Sequence, residues 1–135
     1  MPFVSMPVFN SETDALALQA RLKLNQGLTV ACYCAAWCDT CTQYRPAFDE
    51  LARRLPQHTF VWVDIEENPE LLDDDDIENF PTLLIQDPGK GNLFYGTMLP
   101  HIGHLERLIS HLDDDSPVID KGPAMLRTLL LPAAQ

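Results

Sequence analysis

Apolar positions along the chain repeat with two periods, and each change of period marks a boundary between elements. From about Ser11 or Thr13, the residues Ala15, Leu18 and Leu22 share one face at helical spacing, and Gly27 has the permissive backbone that suits a helix stop. The short apolar run Leu28 to Cys34 reads as a buried strand. From Cys41 onward, Tyr44, Phe48, Leu51, Ala52 and Leu55 return to helical spacing. Thr59 to Ile65 is β-branched and aromatic, with Asp64 as its one charge, and predicts a second buried strand. Asn68-Pro69 opens a short helical or turn segment through Asp73 to Asp76, and Phe80-Pro81 leads into a third strand, Thr82 to Gln86. Asp87 to Asn92 has turn chemistry, so Leu93 to Met98 pairs back as a hairpin strand. A last helix carries Leu105, Leu108, Ile109 and Leu112 at i, i+3, i+4 and i+7. Together these elements predict an α/β fold: a small central mixed sheet flanked by helices on both faces.

The composition changes at Asp113. The folded domain is expected over residues 1–112, with its elements between Ser11 and Leu112. Residues 113–135 form an acidic linker, Asp113 to Asp115, and an apolar stretch, Ala124 to Leu131. Met125, Leu129 and Leu130 would let that tail dock as a short helix, either on its own domain or on another chain. The expected state is a monomer, or a weak dimer through the tail.

A chain of 135 residues, 46% hydrophobic and 21% charged, suits one domain with a single core. Its formal charge of −11, with nine scattered basic residues, argues against nucleic acid or an anionic membrane as partner. No apolar run approaches the roughly 20 residues that span a bilayer. Met1 to Ser11 lacks a basic region followed by an apolar core, so a cytoplasmic location is expected. All four cysteines, Cys32, Cys34, Cys38 and Cys41, fall within ten residues, which marks a site rather than a set of staples between distant segments.

Within that window, Cys38-Asp39-Thr40-Cys41 follows a strand and opens a helix. Cys38 should sit at the helix start, where unpaired backbone N–H groups and the helix dipole favour a thiolate, and Cys41 one turn inside. Cys38 is then the nucleophile and Cys41 the resolving thiol. Alternation places Cys32 and Cys34 on the same sheet face, as two small buried hydrophobes, a thiol relay or part of a second disulfide.

Taken with their surroundings, these residues resemble the thioredoxin family over roughly Glu12 to Leu112. Trp37 precedes the first cysteine, Pro46 follows the second by five residues, Glu67-Asn68-Pro69 follows the second strand, and Phe80-Pro81-Thr82 supplies a proline facing the site. The resemblance implies a thiol-disulfide oxidoreductase acting on protein disulfides, with no cofactor and no metal, reset by a reductase or a small-molecule thiol. It implies a cis Pro81 beside the Cys38–Cys41 pair, with Trp37, Phe80 and Pro81 contacting substrate. Asp39 and Thr40 stand where typical members have glycine and proline. A carboxylate beside Cys38 disfavours its thiolate and the Thr40 hydroxyl can support it; the net expectation is a reductant rather than a strong oxidant. Cys32 stands where the family has a buried aspartate, Cys34 where it often has tryptophan, and Trp62 where that aspartate has a lysine partner.

Two other readings remain open at this level. All four thiols could form a metal-binding module, or the fold could serve as a binding module with little redox activity. His101 and His104 lack a further ligand at metal spacing and read as a solvated helix start.

Overall fold

Thr29 to Cys34 are six consecutive buried residues, and only a central strand covered on both faces buries every position in such a run. A computed structural model of the chain describes residues 8–10, 14–22, 27–35, 38–66, 81–87, 89–112, 115–119 and 126. Its elements, in chain order, are β1 (Val8–Asn10), α1 (Ala15–Leu22), β2 (Thr29–Cys34), α2 (Asp39–Arg54), β3 (Thr59–Asp64), β4 (Thr82–Asp87), β5 (Gly91–Thr97) and α3 (Ile102–His111). The five strands form one sheet in the order β1-β3-β2-β4-β5. The pairs β1–β3 and β3–β2 are parallel, while β4 runs antiparallel to both β2 and β5. The expected mixed α/β sheet is thus present, with β2 at its centre.

Alternation along β2 sorts the core into two layers. Val30, Cys32 and Cys34 pack with Tyr44, Phe48 and Leu51 of α2 and with Leu105 and Ile109 of α3. Ala31 and Tyr33 point the other way, into a layer with Leu18 and Leu22 of α1, Val61, Val63 and Leu84. Phe48 anchors the first layer through edge contacts with Phe60, ring centroids 5.5 Å apart, and a tilted contact with Trp62 at 5.7 Å. A bidentate pair from Arg54 to Glu106, 2.7 and 3.2 Å, ties α2 to α3 at the surface.

The hairpin strand begins at Gly91, two residues earlier than its apolar pattern suggested, and its pairing with β4 has a register irregularity between Ile85 and Gln86. The first strand, β1, had no signal in the periodicity: three residues are too few to show a period, and its pairing with the edge of β3 defines it. Residues 67–80, which include the acidic run, lie outside the described residues. At the entry to β2, Gly27 has φ +65°, and a Cβ there would run into the backbone carbonyl of Gln57. The next residue, Leu28, donates its backbone N–H to Nδ1 of His58 at 2.9 Å.

The tail, for which two dockings were open, reaches its own domain. Leu126 is fully buried in the α1-side layer, and its N–H donates to Oε1 of buried Gln86 at 3.0 Å. Gln86 in turn donates through Nε2 to Asn92 Oδ1 at 2.8 Å, and the Ile119 N–H donates to the Asn92 carbonyl at 2.8 Å. Ile119 and Leu126 therefore lie against the β4–β5 hairpin.

Leu126→Ala should destabilise the protein by about 2–5 kcal/mol, the cost of deleting a buried leucine and leaving a cavity. Urea unfolding of the two chains checks this, and an unchanged midpoint would mean that the tail adds nothing to the core. Burial, and then the Arg21 charge, lower the His58 pKa from its ordinary 6.5. The unfolded chain then takes up this proton first, so the His58 contribution is complete above pH 6.5 and is lost as pH falls through the lowered value. His58→Asn keeps an acceptor for the Leu28 N–H and should flatten that part of the stability–pH curve.

Candidate functional site

The site forms where β2 ends and α2 begins. Cys38 is the N-cap of α2, with extended backbone (φ −89°, ψ 115°), and among the described residues no side chain caps this end. Its N–H donates to the Ala35 carbonyl at 3.0 Å, and its carbonyl accepts the Thr42 N–H at 3.1 Å. First-turn N–H groups of α2 thus have no side-chain acceptor at this end among the described residues. Cys38 is partly exposed while packed against the α2-side core. Within α2, Pro46 removes one backbone donor on an exposed stretch of the helix.

One turn inside α2, Cys41 is buried on the same face as Tyr44 and Phe48. Across from it lie Cys32 and Cys34, both buried. The structure joins Cys34 to Cys41 in a disulfide, with Cα atoms 5.9 Å apart, and leaves Cys32 and Cys38 as free thiols. The Cys32 Sγ lies 3.7 Å from the Cys34 Sγ. The bonded partner of Cys41 is therefore the strand cysteine, and the motif partner Cys38 is free in this state. A signal for this pairing existed in the sequence: alternation directs Cys34 to the face that α2 covers, and the helical spacing from Cys41 to Tyr44 and Phe48 directs Cys41 back at it.

Among the described residues the environment around the sulfurs is apolar, with Arg45 at its edge. Burial pushes the Cys32 thiol far up, against a weaker opposing pull from Arg45. Burial, and then the proximity of Cys32, likewise raise the Tyr44 phenol. Its hydroxyl is buried without a hydrogen-bond partner among the described residues. Arg45 lies over the Trp62 ring, 4.9 Å from its centroid, and pairs with Asp49 at 2.9 Å. Cys41, Arg45 and Trp62 line a cleft of about 280 Å³ that brings solvent close to the buried sulfur pair. In the sheet register Cys32 is directly opposite Trp62, so the two residues standing for the family's charged pair are neighbours here too.

Of the remaining expected site residues, Asp39 is exposed, Thr40 is half-buried and Pro81 is buried. The Pro81 carbonyl accepts the Met98 N–H at 3.2 Å. Trp37 and Phe80 lie outside the described residues. The His101 and His104 ring centroids are 6.1 Å apart at the exposed start of α3. Among the described residues, no group of three or more His, Cys, Asp or Glu side chains converges as a metal site would require.

Comparison with known proteins places this architecture. A family model described as Thioredoxin matches residues 10–103. A thioredoxin H-type of Ricinus communis is 35% identical over 65 residues, which cover 48% of this chain and 55% of that protein. A thioredoxin of Geodia cydonium is 32% identical over 72 residues, covering 53% of this chain and 68% of the relative. The chain thus aligns with little more than half of the first relative's length and about two thirds of the second's. Among solved structures, Trichomonas vaginalis thioredoxin superimposes with a TM-score of 0.64 at 21% identity, covering 78% of this chain and 97% of that one. Thioredoxin O1 of Arabidopsis thaliana in its oxidized state gives 0.61 at 24% identity, covering 78% and 96%. No helix among the described residues is long and apolar enough to cross a membrane.

The two free thiols should differ sharply in reactivity. Iodoacetamide at mildly alkaline pH should modify Cys38 in the folded protein, and Cys32 only after unfolding, because the Cys32 thiolate is suppressed and its sulfur is enclosed. Equal labelling of the two in the native state would contradict the burial described here.

Proposed function

Because the chain belongs to the thioredoxin family, whose members are oxidoreductases that reduce protein disulfides, we propose that it is a thiol-disulfide oxidoreductase using Cys38 and Cys41, working as a reductant. One observation carries this reading: Cys41 is held in a disulfide one turn inside α2 while Cys38 stands free and accessible at the uncapped start of the same helix. A sulfur able to form a disulfide and a sulfur able to attack one are thus side by side.

In the fully reduced protein the Cys38 thiolate attacks one sulfur of a substrate disulfide, and the other sulfur leaves as a thiolate. The product is a mixed disulfide between Cys38 and the substrate. Cys41 then attacks the Cys38 sulfur, closing a Cys38–Cys41 disulfide and releasing the substrate as a dithiol. No metal or organic cofactor takes part, since both electrons come from the two sulfurs. Trp37 and the Phe80-Pro81 edge are the surfaces proposed to hold an extended substrate segment, with Asp39 and Thr40 tuning the Cys38 thiolate. A reductase or small-molecule thiol returns the pair to its reduced form. The proposed location is the cytoplasm, where substrate disulfides are transient and a thiol pool is available.

Reduction of a protein disulfide such as insulin, with dithiothreitol as electron source, tests the assignment. Cys38→Ser should fall to the rate of dithiothreitol alone. Cys41→Ser should still attack but accumulate a protein–substrate adduct visible by mass. Undiminished turnover by Cys38→Ser would refute the reading.

A further inference from the structure

A two-thiol cycle ends with Cys38 bonded to Cys41, yet in this structure Cys41 is bonded to Cys34 and Cys38 is free. We propose that Cys34 is a third redox thiol, which takes the disulfide over from the Cys38–Cys41 pair and so returns Cys38 to a free thiol. The inference rests on the thiol-disulfide reading above and adds a step after it.

The fold brings the required atoms together. Alternation on β2 presents Cys34 to the face that α2 covers, and helical spacing presents Cys41 to β2. Their Cα separation of 5.9 Å falls within the range that a disulfide spans without moving either backbone. Cys38 packs against the same cluster as both. Cys41 can therefore exchange partners between a neighbour on its own helix and a neighbour on the strand beneath it.

The step is an internal exchange. The Cys34 sulfur, as thiolate, attacks the Cys41 sulfur of the Cys38–Cys41 disulfide. The Cys34–Cys41 bond forms, the Cys38–Cys41 bond breaks, and its electron pair departs on Cys38. The proton lost by Cys34 is balanced by one gained at Cys38 when that thiolate is protonated. One disulfide is present before and after, so neither oxidant nor reductant is consumed.

The two ends of the exchange differ in a way that gives it a direction. A thiolate expelled at Cys38 stands at the partly exposed start of α2. Expelled from Cys34, it would be enclosed in the apolar layer of Phe48, Leu51 and Phe60. The better-stabilised thiolate is the better leaving group, so the disulfide moves from the surface into the core. Cys32 holds its proton because burial opposes its ionisation. With its sulfur 3.7 Å from that of Cys34, it is placed to donate an S–H hydrogen bond while Cys34 carries charge. A cleft lined by Cys41, Arg45 and Trp62 opens beside the bonded Cys41. The oxidised chain then still presents a nucleophile but has no resolving thiol. A second disulfide it attacks stays attached through Cys38 until an external thiol releases it.

The test mixes the fully reduced 135-residue chain with one equivalent of a peptide carrying a single disulfide. Samples are acid-quenched over time and alkylated, and the label is located by fragmentation mass spectrometry. In the wild type, Cys38–Cys41 should appear first and decay as Cys34–Cys41 grows, with Cys38 regaining its label. In Cys34→Ser and Cys34→Ala the peptide should be reduced in the first turnover while Cys38–Cys41 persists and Cys38 stays unlabelled. The wild-type time course decides the matter even if neither variant folds. A wild type that stops at Cys38–Cys41 with Cys34 labelled throughout overturns the inference and leaves the oxidoreductase reading standing. Formation of Cys34–Cys41 in Cys38→Ser at the wild-type rate overturns it as well, since no transfer from Cys38 would be needed. If no form reduces the peptide, the proposed function itself fails.

Discussion

The packing of α2 across the cysteine face of β2 is the contact on which the rest of the structure depends. Phe48 fixes it, lying against Phe60 and Trp62 of β3 with Tyr44 stacked beside it. That contact sets the rotation of α2 about its axis. The rotation directs Cys41 into the core and leaves Cys38, three residues earlier, at the rim. Without it the four sulfurs would be neighbours in sequence only. With it, one is accessible, two are bonded and one is enclosed.

Much of this was legible in the residues. Tyr44, Phe48, Leu51 and Ala52 fell on one face by spacing alone and are buried together, and Cys38 was expected at the helix start it occupies. Leu28 to Cys34 read as a buried strand and is one, apart from its first residue. What could not be read there depends on partners distant in sequence. Three residues at Val8 become a strand because the edge of β3 accepts them. Leu126 is a core residue because Gln86, forty positions earlier, receives its backbone N–H. The partner of Cys41 was half legible: spacing makes Cys38 its neighbour on the helix and alternation turns Cys34 to the face that α2 covers, and only the approach of helix to strand decides between them.

The site also differs electrostatically from what its family resemblance implies. Cys32 and Trp62 face each other across β2 and β3, where the resemblance leads one to expect an aspartate and a lysine. An apolar pair there avoids the cost of burying charge, and neither residue leaves an unpaired ion behind. The remaining cation, Arg45, lies outside the core on the Trp62 ring, paired with Asp49. Cys32 thus occupies the position where the resemblance leads one to expect a carboxylate. This fits a layout in which the disulfide moves among sulfurs.

The decisive experiment is a redox titration of the purified 135-residue chain in graded dithiol–disulfide buffers, with the number of protected thiols read by mass at each point. One reversible transition that protects two thiols is expected, with a two-electron slope of about 30 mV per tenfold change in the oxidised-to-reduced ratio. Cys41 should be one of the two protected thiols throughout. A disulfide that never opens and closes reversibly, or a transition in which Cys41 remains free, would contradict it.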